Sequence, residues 1–448
     1  MRAAGRRRDG RGEPLTGTFR SLANRNYRLW AAGALVSNIG TWMQRTAQDW
    51  IVLAQLTNQS AGAVGIVMAL QFGPSLLLLP LTGYAADRFD RRKLLLATQS
   101  AQGLLALALG VLTVVGAVQL WHVYVFAFLL GCVTAFDAPA RQTFVSELVS
   151  DALLSNAVAL NSTSFNAARM IGPAVAGLLI AQIGTGWVFL INSASFVAVL
   201  AALVALRVED LHHKDRAAPK AGGMLQGFRY VRNRPELRTV LWMLFLIMTF
   251  GINFPVFVSA MAVKVFHAGS HEFGALSSML AIGSVSGALL AAGREKPRAS
   301  FLLVSALAFG AGLLAASLMP TYAFFGATLV LVGLAAQTFN TTANSTVQLW
   351  TEPAMRGRVM AIYMAIAMGC TPLGAPLVGW VADQFGPRWS LVVGAASGFA
   401  AAAVAVTYLV RYRGLRIRLE RGIPRVHLAG VEHTRGRTDV RAPQAEQP

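Results

Sequence analysis

The segment GYAADRFDRRK, residues 83–93, separates two long apolar stretches of the chain. Gly83 has no side chain, so the helix that ends here can approach a neighbouring helix closely. Asp87 can accept hydrogen bonds from the N-terminus of another helix, where a negative charge is favoured. Arg91 lies one turn beyond Asp87 and can reach Glu147, at the end of a later apolar stretch. The spacing therefore predicts a charged cluster that ties helix ends together at one side of the molecule.

The composition is that of a membrane protein. Of the 448 residues, 55% are apolar and 13% are charged, and the mean hydropathy is +0.53. Typical soluble proteins carry about 25% charged residues, so the charges here are too few to cover a water-facing surface. The same numbers exclude a disordered chain. The two cysteines, Cys132 and Cys370, lie in apolar stretches and indicate no disulfide framework.

Apolar stretches long enough to cross a bilayer occur twelve times. A membrane-spanning helix needs about 20 mostly apolar residues. The candidate spans are 28–56, 62–86, 93–117, 120–147, 153–183, 186–207, 237–266, 272–293, 299–318, 321–349, 354–383 and 387–410. Several exceed one crossing, which indicates tilt or extension beyond the bilayer. We therefore predict an all-α membrane protein with twelve transmembrane helices.

Positive charges are distributed unevenly between the two sides of these spans. Of the 39 Lys and Arg residues, only Lys264 and Arg388 fall on the outer side if the N-terminus is inside. Arg45, Arg141 and Arg169 lie at membrane depth, and all others fall in inner loops and tails. This distribution predicts that both termini are cytoplasmic. The net charge of +19 thus reflects topology, and no nucleic-acid partner is expected.

The longest inner loop divides the spans into two groups of six. We predict no cleavable signal peptide, because residues 1–18 are rich in Arg and Gly and have no apolar core. Residues 227–238 are basic and partly amphipathic, as in helices that lie on a membrane surface. The predicted organisation is a flexible basic tail at 1–18, a six-helix bundle at 19–207, a cytoplasmic linker at 208–236, a second six-helix bundle at 237–410 and a flexible basic tail at 411–448.

The two groups of six resemble each other in sequence. At an offset of 202 residues, Gly172, Gly177, Gln182, Gly184 and Trp187 match Gly374, Gly379, Gln384, Gly386 and Trp389. At an offset of 209 residues, Asn24-Arg25 matches Asn233-Arg234. We infer a duplicated six-helix unit. Parallel halves of this kind place a transport site between them, near the bilayer midplane.

Segment 83–93 resembles the inner-loop signature of the major facilitator superfamily, G-x-x-x-D-R-x-G-R-R-K. It departs from that signature at Asp90, where the family usually has Gly, so either a left-handed turn is relaxed or Asp90 contacts a neighbouring Arg. The resemblance covers about 19–410 and implies two pseudo-symmetric six-helix bundles. It also implies a cytoplasmic gate that opens when its contacts break, formed by Gly83, Asp87, Arg88, Arg91 and Glu147.

Three further segments resemble the enterobactin-exporter-like branch of the superfamily, also called transmembrane secretion effectors. They are 40–44 in span 1, 137–141 in span 4 and 159–173 in span 5. The last is followed by Gly177 and partly resembles the span-5 motif of drug/proton antiporters. Gly172 and Pro173 can bend the helix, while Gly177 permits close packing. Ordinary packing of small residues would give the same pattern.

Ionisable residues at membrane depth cost about 2.5–3.5 kcal/mol each on insertion scales, so each needs a partner or a wet cavity. Five occur, all in the first half of the chain: Arg45, Asp49, Asp137, Arg141 and Arg169. At the offset of 209 residues, Arg45 corresponds to Phe254 and Asp49 to Val258, which are apolar. Any coupling chemistry is therefore expected in the first half.

These five residues are candidates for proton coupling. Burial favours the neutral form of an aspartate, whereas a nearby Arg favours the ionised form. Movement of the Arg would therefore let the Asp take a proton. We expect Asp137 with Arg169 to be the coupling pair, and Asp49 to be the second candidate. A permanent structural ion pair is the alternative, and Arg141 and Arg169 also suit structural partners or contacts to an anionic substrate group.

Aromatic and amide side chains near mid-span indicate a large cavity of mixed polarity. The helices that carry them line the cavity in related folds, and the candidates are Trp42, Gln44, Phe250, Asn253, Phe254, Gln337 and Asn340. Together these groups suit a bulky amphiphile. Packing or lipid-facing positions are the alternative for each.

The expected function is secondary active transport in a bacterial inner membrane. The resemblance implies that a monomer with alternating access exports a small amphiphile (a drug, secondary metabolite or siderophore) by proton antiport. We expect no enzyme activity, metal or cofactor, because the sequence has no metal-ligand cluster and no P-loop. Proton-coupled uptake by the same fold is the alternative. A polytopic membrane enzyme is disfavoured, because no Asp-Asp-x-x-Asp run is present.

Overall fold

The computed structural model describes residues 19–78, 81–82, 88–212, 224–292, 299–413, 415–420 and 423–428. Gly83 and Asp87 of the predicted gate lie outside the described residues, as does the tail at 1–18. The described part is helical except for one short hairpin near its end.

Helices fill the first half of the chain. They are α1 (Arg25–Trp50), α2 (Ala61–Leu77), α3 (Arg91–Val114), α4 (Leu120–Leu148), α5 (Asp151–Ile183), α6 (Thr185–Ala205) and the short α7 (Met224–Arg232). α1 continues as a π-helical segment, Ile51–Leu56, and 3-10 turns cover Arg20–Ala23 and Val208–Asp210.

The second half is likewise helical. Its helices are α8 (Pro235–Leu246), α9 (Phe254–Ala260), α10 (Ser270–Ala292), α11 (Ala299–Leu318), α12 (Tyr322–Trp350), α13 (Arg356–Gly369), α14 (Thr371–Gln384) and α15 (Pro387–Arg413). The strands β1 (Leu415–Glu420) and β2 (Ile423–Leu428) pair antiparallel after α15.

Ten helical segments in the described part of the chain are long and apolar enough to cross a membrane. The segment from α8 to Val265 and the segment α13–α14 each count as one. α2 is apolar but has only 17 residues, and α1 is not among the ten. α1 falls short because polar side chains such as Gln44, Arg45 and Asp49 interrupt its apolar run. The prediction of a helical multi-span membrane protein is confirmed at this level.

The span predicted as continuous over 237–266 is interrupted. α8 ends in a π-helical segment, Ile247–Gly251, and the backbone leaves the helical conformation at Ile252 and Asn253 before α9 begins. Pro255 lies in the first turn of α9, where a missing N–H costs no helical hydrogen bond. A second π-helical segment, Met261–Val265, follows α9.

The span predicted over 354–383 is divided in the same way. α13 ends at Gly369, Cys370 separates the helices, and Pro372 lies in the first turn of α14. A proline inside a continuous helix would leave one carbonyl without its N–H partner. At both breaks the proline lies in the first turn of the following helix, where its missing N–H costs no helical hydrogen bond.

Neighbouring helices pack within each half of the chain. In the first half, α1 packs on α5 and α6, α3 packs on α4 and α6, and α2 packs on α4. In the second half, α10 and α11 pack on α12, and α15 packs on α8 and α11. Small residues allow several of these contacts; a Cβ on Gly33 of α1 would lie 3.0 Å from the Ala198 carbonyl oxygen of α6.

Among the described helices, two pairs make the most extensive contacts between the halves. α2 packs on α14, and α5 packs on α10. Glycines face each other in both pairs: a Cβ on Gly379 would lie 2.8 Å from the Gly62 Cα, and a Cβ on Gly177 would lie 3.1 Å from the Gly274 Cα. Without side chains the two backbones can touch, which is how helices pack closely in membranes.

The internal repeat has a structural counterpart. Gly177 and Gly379, which are 202 residues apart, lie in the contacts of α5 with α10 and of α2 with α14. Gly184 and Gly386, at the same offset, follow the ends of α5 and α14 with φ values of +87° and +100°. Residues with a side chain rarely adopt this backbone conformation. The repeated glycines therefore serve the same turn and the same kind of contact in each half.

The segments outside the spans differ from the predictions. The amphipathic stretch predicted over 227–238 forms α7 from Met224 to Arg232, and α8 begins at Pro235. α7 packs on α13, with Gly227 close to the Arg358 side chain. The tail predicted as flexible from 411 contains β1 and β2 instead. The sequences LRIRLE and IPRVHL alternate apolar and polar residues, a pattern that favours strands.

Candidate functional site

A cavity of about 250 Å³ lies between the two halves of the chain, and we call it the central cavity. Most of its polar lining comes from α1, α2 and α5: Trp42, Arg45, Thr46, Asp49, Gln71 and Arg169. The second half supplies a mainly apolar wall from Ile252, α9 and α10, formed by Ile252, Phe254, Pro255, Val258, Phe273, Leu280 and Ala281. Ser277 and Thr371 add hydroxyl groups to this wall, and Met68, Phe72 and Pro173 complete the first-half side.

The two sides of the central cavity are related by the internal repeat. Arg45 and its predicted counterpart Phe254 both line it, as do Asp49 and its counterpart Val258. The repeat therefore brings equivalent positions to one cavity but gives them opposite polarity. The charged groups in the described lining belong to the first half, as predicted.

The charged side chains of the central cavity have few protein partners. The Arg45 guanidinium lies 5.0 Å from the Trp42 ring centroid, and that of Arg169 lies 5.7 Å from the same ring. The Arg45 Nε is buried without a hydrogen-bond partner. Among the described residues, no hydrogen bond or ion pair joins Asp49 to either arginine. Strong donors and an acceptor are thus available to a bound molecule.

Asp137 lies in a separate buried network. Its carboxylate accepts hydrogen bonds from Thr98 Oγ1 at 2.7 Å, Gln99 Nε2 at 2.6 Å and Arg141 Nε at 3.2 Å. Arg141 also donates to Asn38 Oδ1 at 3.0 Å. Asp137 is 5% exposed and does not line the central cavity. The partners of Asp137 come from α3 and α4, and α1 contributes Asn38 as a partner of Arg141.

The predicted pair of Asp137 with Arg169 does not form. The carboxylate of Asp137 is occupied by Arg141, one turn away on the same helix, and by two side chains of α3. Arg169 instead lines the central cavity near Trp42. Asp49 is therefore the aspartate that shares a cavity with Arg169.

Two of the seven predicted cavity residues, Trp42 and Phe254, line the central cavity. The other five contact protein groups. Asn192 donates to Gln44 Oε1, Asn253 donates to the Thr249 carbonyl, Tyr363 donates to Asn340 Oδ1, Gln337 donates to Thr341, and Phe250 packs against the apolar core. Mid-span position alone does not reveal which face of a helix meets the cavity.

Gln71, Phe72 and Ser277 line the central cavity but were not among the predicted residues. Gln71 Nε2 is buried without a hydrogen-bond partner. An amide within the apolar stretch 62–86 is the signal that would have identified it, because polar groups at membrane depth generally face a cavity or a partner.

The glycines and proline of α5 act as contact positions. α5 runs as one helix from Asp151 to Ile183 through Pro173, which lines the central cavity. A Cβ on Gly172 would lie 2.5 Å from the Trp42 Cβ, and one on Gly177 would lie 2.6 Å from the Ser270 carbonyl oxygen. These contacts show that α5 packs closely on its neighbours at both glycines.

One end of the molecule carries the described part of the predicted gate. The predicted ion pair of Arg91 with Glu147 is confirmed and joins α3 to α4. Asp90 caps α3 by accepting a hydrogen bond from the Lys93 N–H at 2.9 Å. Its φ of −62° is ordinary, so the family's usual Gly is replaced here by a helix cap. Arg88 is described and lies just before this cap.

At the opposite end of the molecule, a charged cluster that no sequence motif indicates joins helices of the two halves. The Asp383 carboxylate accepts hydrogen bonds from the Ala61 N–H at 2.7 Å, the Gly62 N–H at 2.8 Å and Ser60 Oγ at 2.9 Å. Lys264 Nζ donates to the same carboxylate at 2.8 Å. We call these five residues the Asp383 cluster. It joins the start of α2 to the end of α14 and to the segment that follows α9.

Known proteins resemble this chain over most of its length. A family model described as transmembrane secretion effector matches residues 16–424. The staphyloferrin A transporter of Staphylococcus aureus is 29% identical over 390 residues, which are 85% of this chain and 95% of that protein. The multidrug efflux pump Tap of Mycolicibacterium fortuitum is 28% identical over 368 residues, which are 79% and 88% of the two chains.

The fold is shared with solved transporters of low sequence identity. The inward-facing, occupied structure of a bacterial homologue of the human lysosomal transporter Spinster has a TM-score of 0.68 with this chain at 14% identity. The likeness covers 87% of this chain and 97% of the other.

Proposed function

Because the chain belongs to the transmembrane secretion effector family of major facilitator transporters, we propose that it exports a small amphiphilic molecule by alternating access. The family and the relatives are membrane transporters and not enzymes. The observation that carries the proposal is the central cavity, which lies between the halves and combines a charged side with an apolar side. Such a surface suits a molecule that itself has a polar and an apolar part.

The proposed architecture has twelve spans. α1 and α2 are its first two spans, despite the polar face of α1 and the short length of α2, because the central cavity draws polar groups from both. Residues 19–207 and 237–410 then form two six-helix bundles joined by the linker at 208–236. The monomer lies in a bacterial inner membrane with both termini in the cytoplasm, as the distribution of Lys and Arg favours.

In this proposal, the transporter alternates between a state that is closed at the outer end and a state that is closed at the inner end. The Asp383 cluster and the glycine contacts of Gly62 with Gly379 hold one end shut, which is the outer end in the proposed topology. The inner end would close through the gate that includes Arg91 and Glu147. Opening either end must break the contacts that join the two halves at that end.

We propose that protons drive export, with Asp49 as the coupling carboxyl. Asp49 lines the central cavity one turn from Arg45. Burial favours the neutral acid and a nearby guanidinium favours the carboxylate, so a change in their separation during rocking would bind or release a proton. Asp137 is the weaker candidate for this role because three side-chain donors, from Thr98, Gln99 and Arg141, already bind its carboxylate.

Proton movement in everted membrane vesicles tests this function. A pH-sensitive dye reports the acidic lumen while siderophores, macrolides and lipophilic dyes are added outside. Antiport predicts that a transported compound makes the lumen more alkaline, whereas uptake by symport carries protons inward with the compound. We expect the response in the wild type and in Asp210→Asn, an exposed control, and its loss in Asp49→Asn. A normal response in Asp49→Asn would refute the assignment of Asp49.

A further inference from the structure

The charges of the central cavity do not balance. Its described lining contains two guanidinium groups, Arg45 and Arg169, and one carboxylate, Asp49. An Arg side chain stays protonated in proteins, so the cavity retains one positive charge when Asp49 is ionised. A buried charge without a partner is costly, whereas a paired one is tolerated. The described lining of the central cavity therefore has one negative charge too few to balance its two guanidinium groups.

The arginines also lack hydrogen-bond acceptors. The Arg45 Nε is buried without a partner, and the described residues offer Arg169 no hydrogen bond or ion pair. Trp42 lies beside both guanidinium groups, at 5.0 Å from that of Arg45 and 5.7 Å from that of Arg169. An aromatic face attracts a cation but accepts no strong hydrogen bond from it. The donors of both side chains remain free to meet an oxyanion, the group that guanidinium binds best.

The apolar wall of the central cavity indicates the chemistry of the rest of the ligand. Ile252, Phe254, Val258 and Leu280 line the second-half side of the central cavity, and their side chains offer no hydrogen bond. A molecule with one anionic end and one apolar end would satisfy both sides at once. A lipophilic cation would bring a second unpaired positive charge to the arginines.

We infer that the substrate of this site is a monoanionic amphiphile whose oxyanion binds Arg45 and Arg169 and whose apolar body packs against the second-half wall. The inference deepens the proposed function and rests on it. With this ligand bound and Asp49 ionised, the lining and the ligand together are electroneutral. We expect Arg169 to contribute more than Arg45 to the preference for an anion, because Asp49 lies one turn from Arg45 on the same helix and its negative charge acts mainly on Arg45.

Three probes of nearly equal shape test the charge preference. They are 2-naphthoate, its neutral methyl ester and 2-naphthylmethylammonium. Their affinities are measured by titration calorimetry on the full chain in phosphatidylcholine nanodiscs, whose lipid has no net charge. In the wild type we expect naphthoate to bind at least about tenfold more tightly than the ester, which corresponds to about 1.4 kcal/mol.

The arginine variants show which residues provide the preference. We expect the ratio of naphthoate to ester affinity to fall towards one in Arg169→Gln and to fall partly in Arg45→Gln. Arg169→Lys should keep part of the preference, because the charge remains. Arg232→Gln is the matched control, since Arg232 is exposed on α7 away from the cavity. The ratio is taken within one variant, so an unfolded fraction affects both titrations equally and leaves the ratio unchanged.

Several outcomes would overturn the inference. One is an ester or ammonium probe that binds as well as naphthoate, or naphthoate that does not bind at all. Another is a ratio that stays the same in both Arg45→Gln and Arg169→Gln. The proposed function fails separately, if the vesicles transport no amphiphile of any charge. Transport of neutral or cationic compounds that is unchanged in Arg169→Gln would keep the proposed function and refute the anionic substrate.

Discussion

Replacing Asp383 by Asn should open the end of the molecule that the Asp383 cluster holds closed. The carboxylate accepts two backbone N–H groups of α2, the Ser60 hydroxyl and the Lys264 ammonium. Asn retains one acceptor oxygen and no charge. It therefore loses at least one charge-assisted hydrogen bond, worth about 1.5 kcal/mol. The side chains of Asp383 and Lys264 are 23% and 20% exposed, so their ion pair adds only about 0.5 kcal/mol.

Together these losses amount to about 2 kcal/mol, which changes an equilibrium about 30-fold. The bonds of the Asp383 cluster exist only while this end is closed, so the whole loss falls on the closed state. We expect Asp383→Asn to raise the ratio of open to closed molecules about 30-fold. Lys264→Gln should raise it only about two- to threefold, because the two backbone N–H bonds to Asp383 remain.

Distances between spin labels measure this ratio. Labels on Asn58→Cys and Gln384→Cys sit on exposed positions on either side of the cluster, in a background that carries Cys132→Ser and Cys370→Ser. The closed state gives a short distance and the open state a longer one. A distance distribution that is the same with and without Asp383→Asn, in protein that remains folded by its thermal transition, would refute the role of the cluster as a closure.

Two further predictions concern residues away from the charged part of the cavity. Gly274→Val should abolish transport while preserving membrane insertion, because its side chain would meet the Pro173 carbonyl oxygen and force α10 away from α5; uptake of substrate into everted vesicles measures this, and normal transport would contradict it. Asp137→Asn should lower the thermal unfolding midpoint more than Asp49→Asn does, because only Asp137 has three side-chain donors; equal midpoints would contradict a structural role for Asp137.

The sequence allowed much of the fold to be predicted because membrane spans leave local patterns. Long apolar runs, uneven Lys and Arg and the glycines repeated at an offset of 202 residues are all visible in the chain itself. The pair of Arg91 with Glu147 could be predicted because a motif fixes one partner and a helix end fixes the other. The breaks at Asn253 and Cys370 were also marked, by Pro255 and Pro372, although the surrounding runs are continuously apolar.

The site was harder to predict because its geometry depends on helix rotation. Asp137 and Asp49 look alike in sequence, since each has an Arg four residues away in an apolar span. They differ in what the neighbouring helices present: α3 offers Thr98 and Gln99 to Asp137, while the central cavity leaves Asp49 without such donors. Which helix faces which is set by packing across the whole bundle, and no local pattern records it.

The Asp383 cluster has a predicted counterpart at the other end of the molecule. Its carboxylate lies at the end of α14 and binds the N–H groups that begin α2. The signature segment predicts the reverse arrangement at the other end, with Asp87 near the end of span 2 and the N-terminus of another helix as its partner. Each end would then be closed by a carboxylate on a helix N-terminus, an interaction of the same kind and similar strength. Two closures of similar strength leave neither state strongly favoured, so the modest binding energy of a substrate suffices to move the transporter between them.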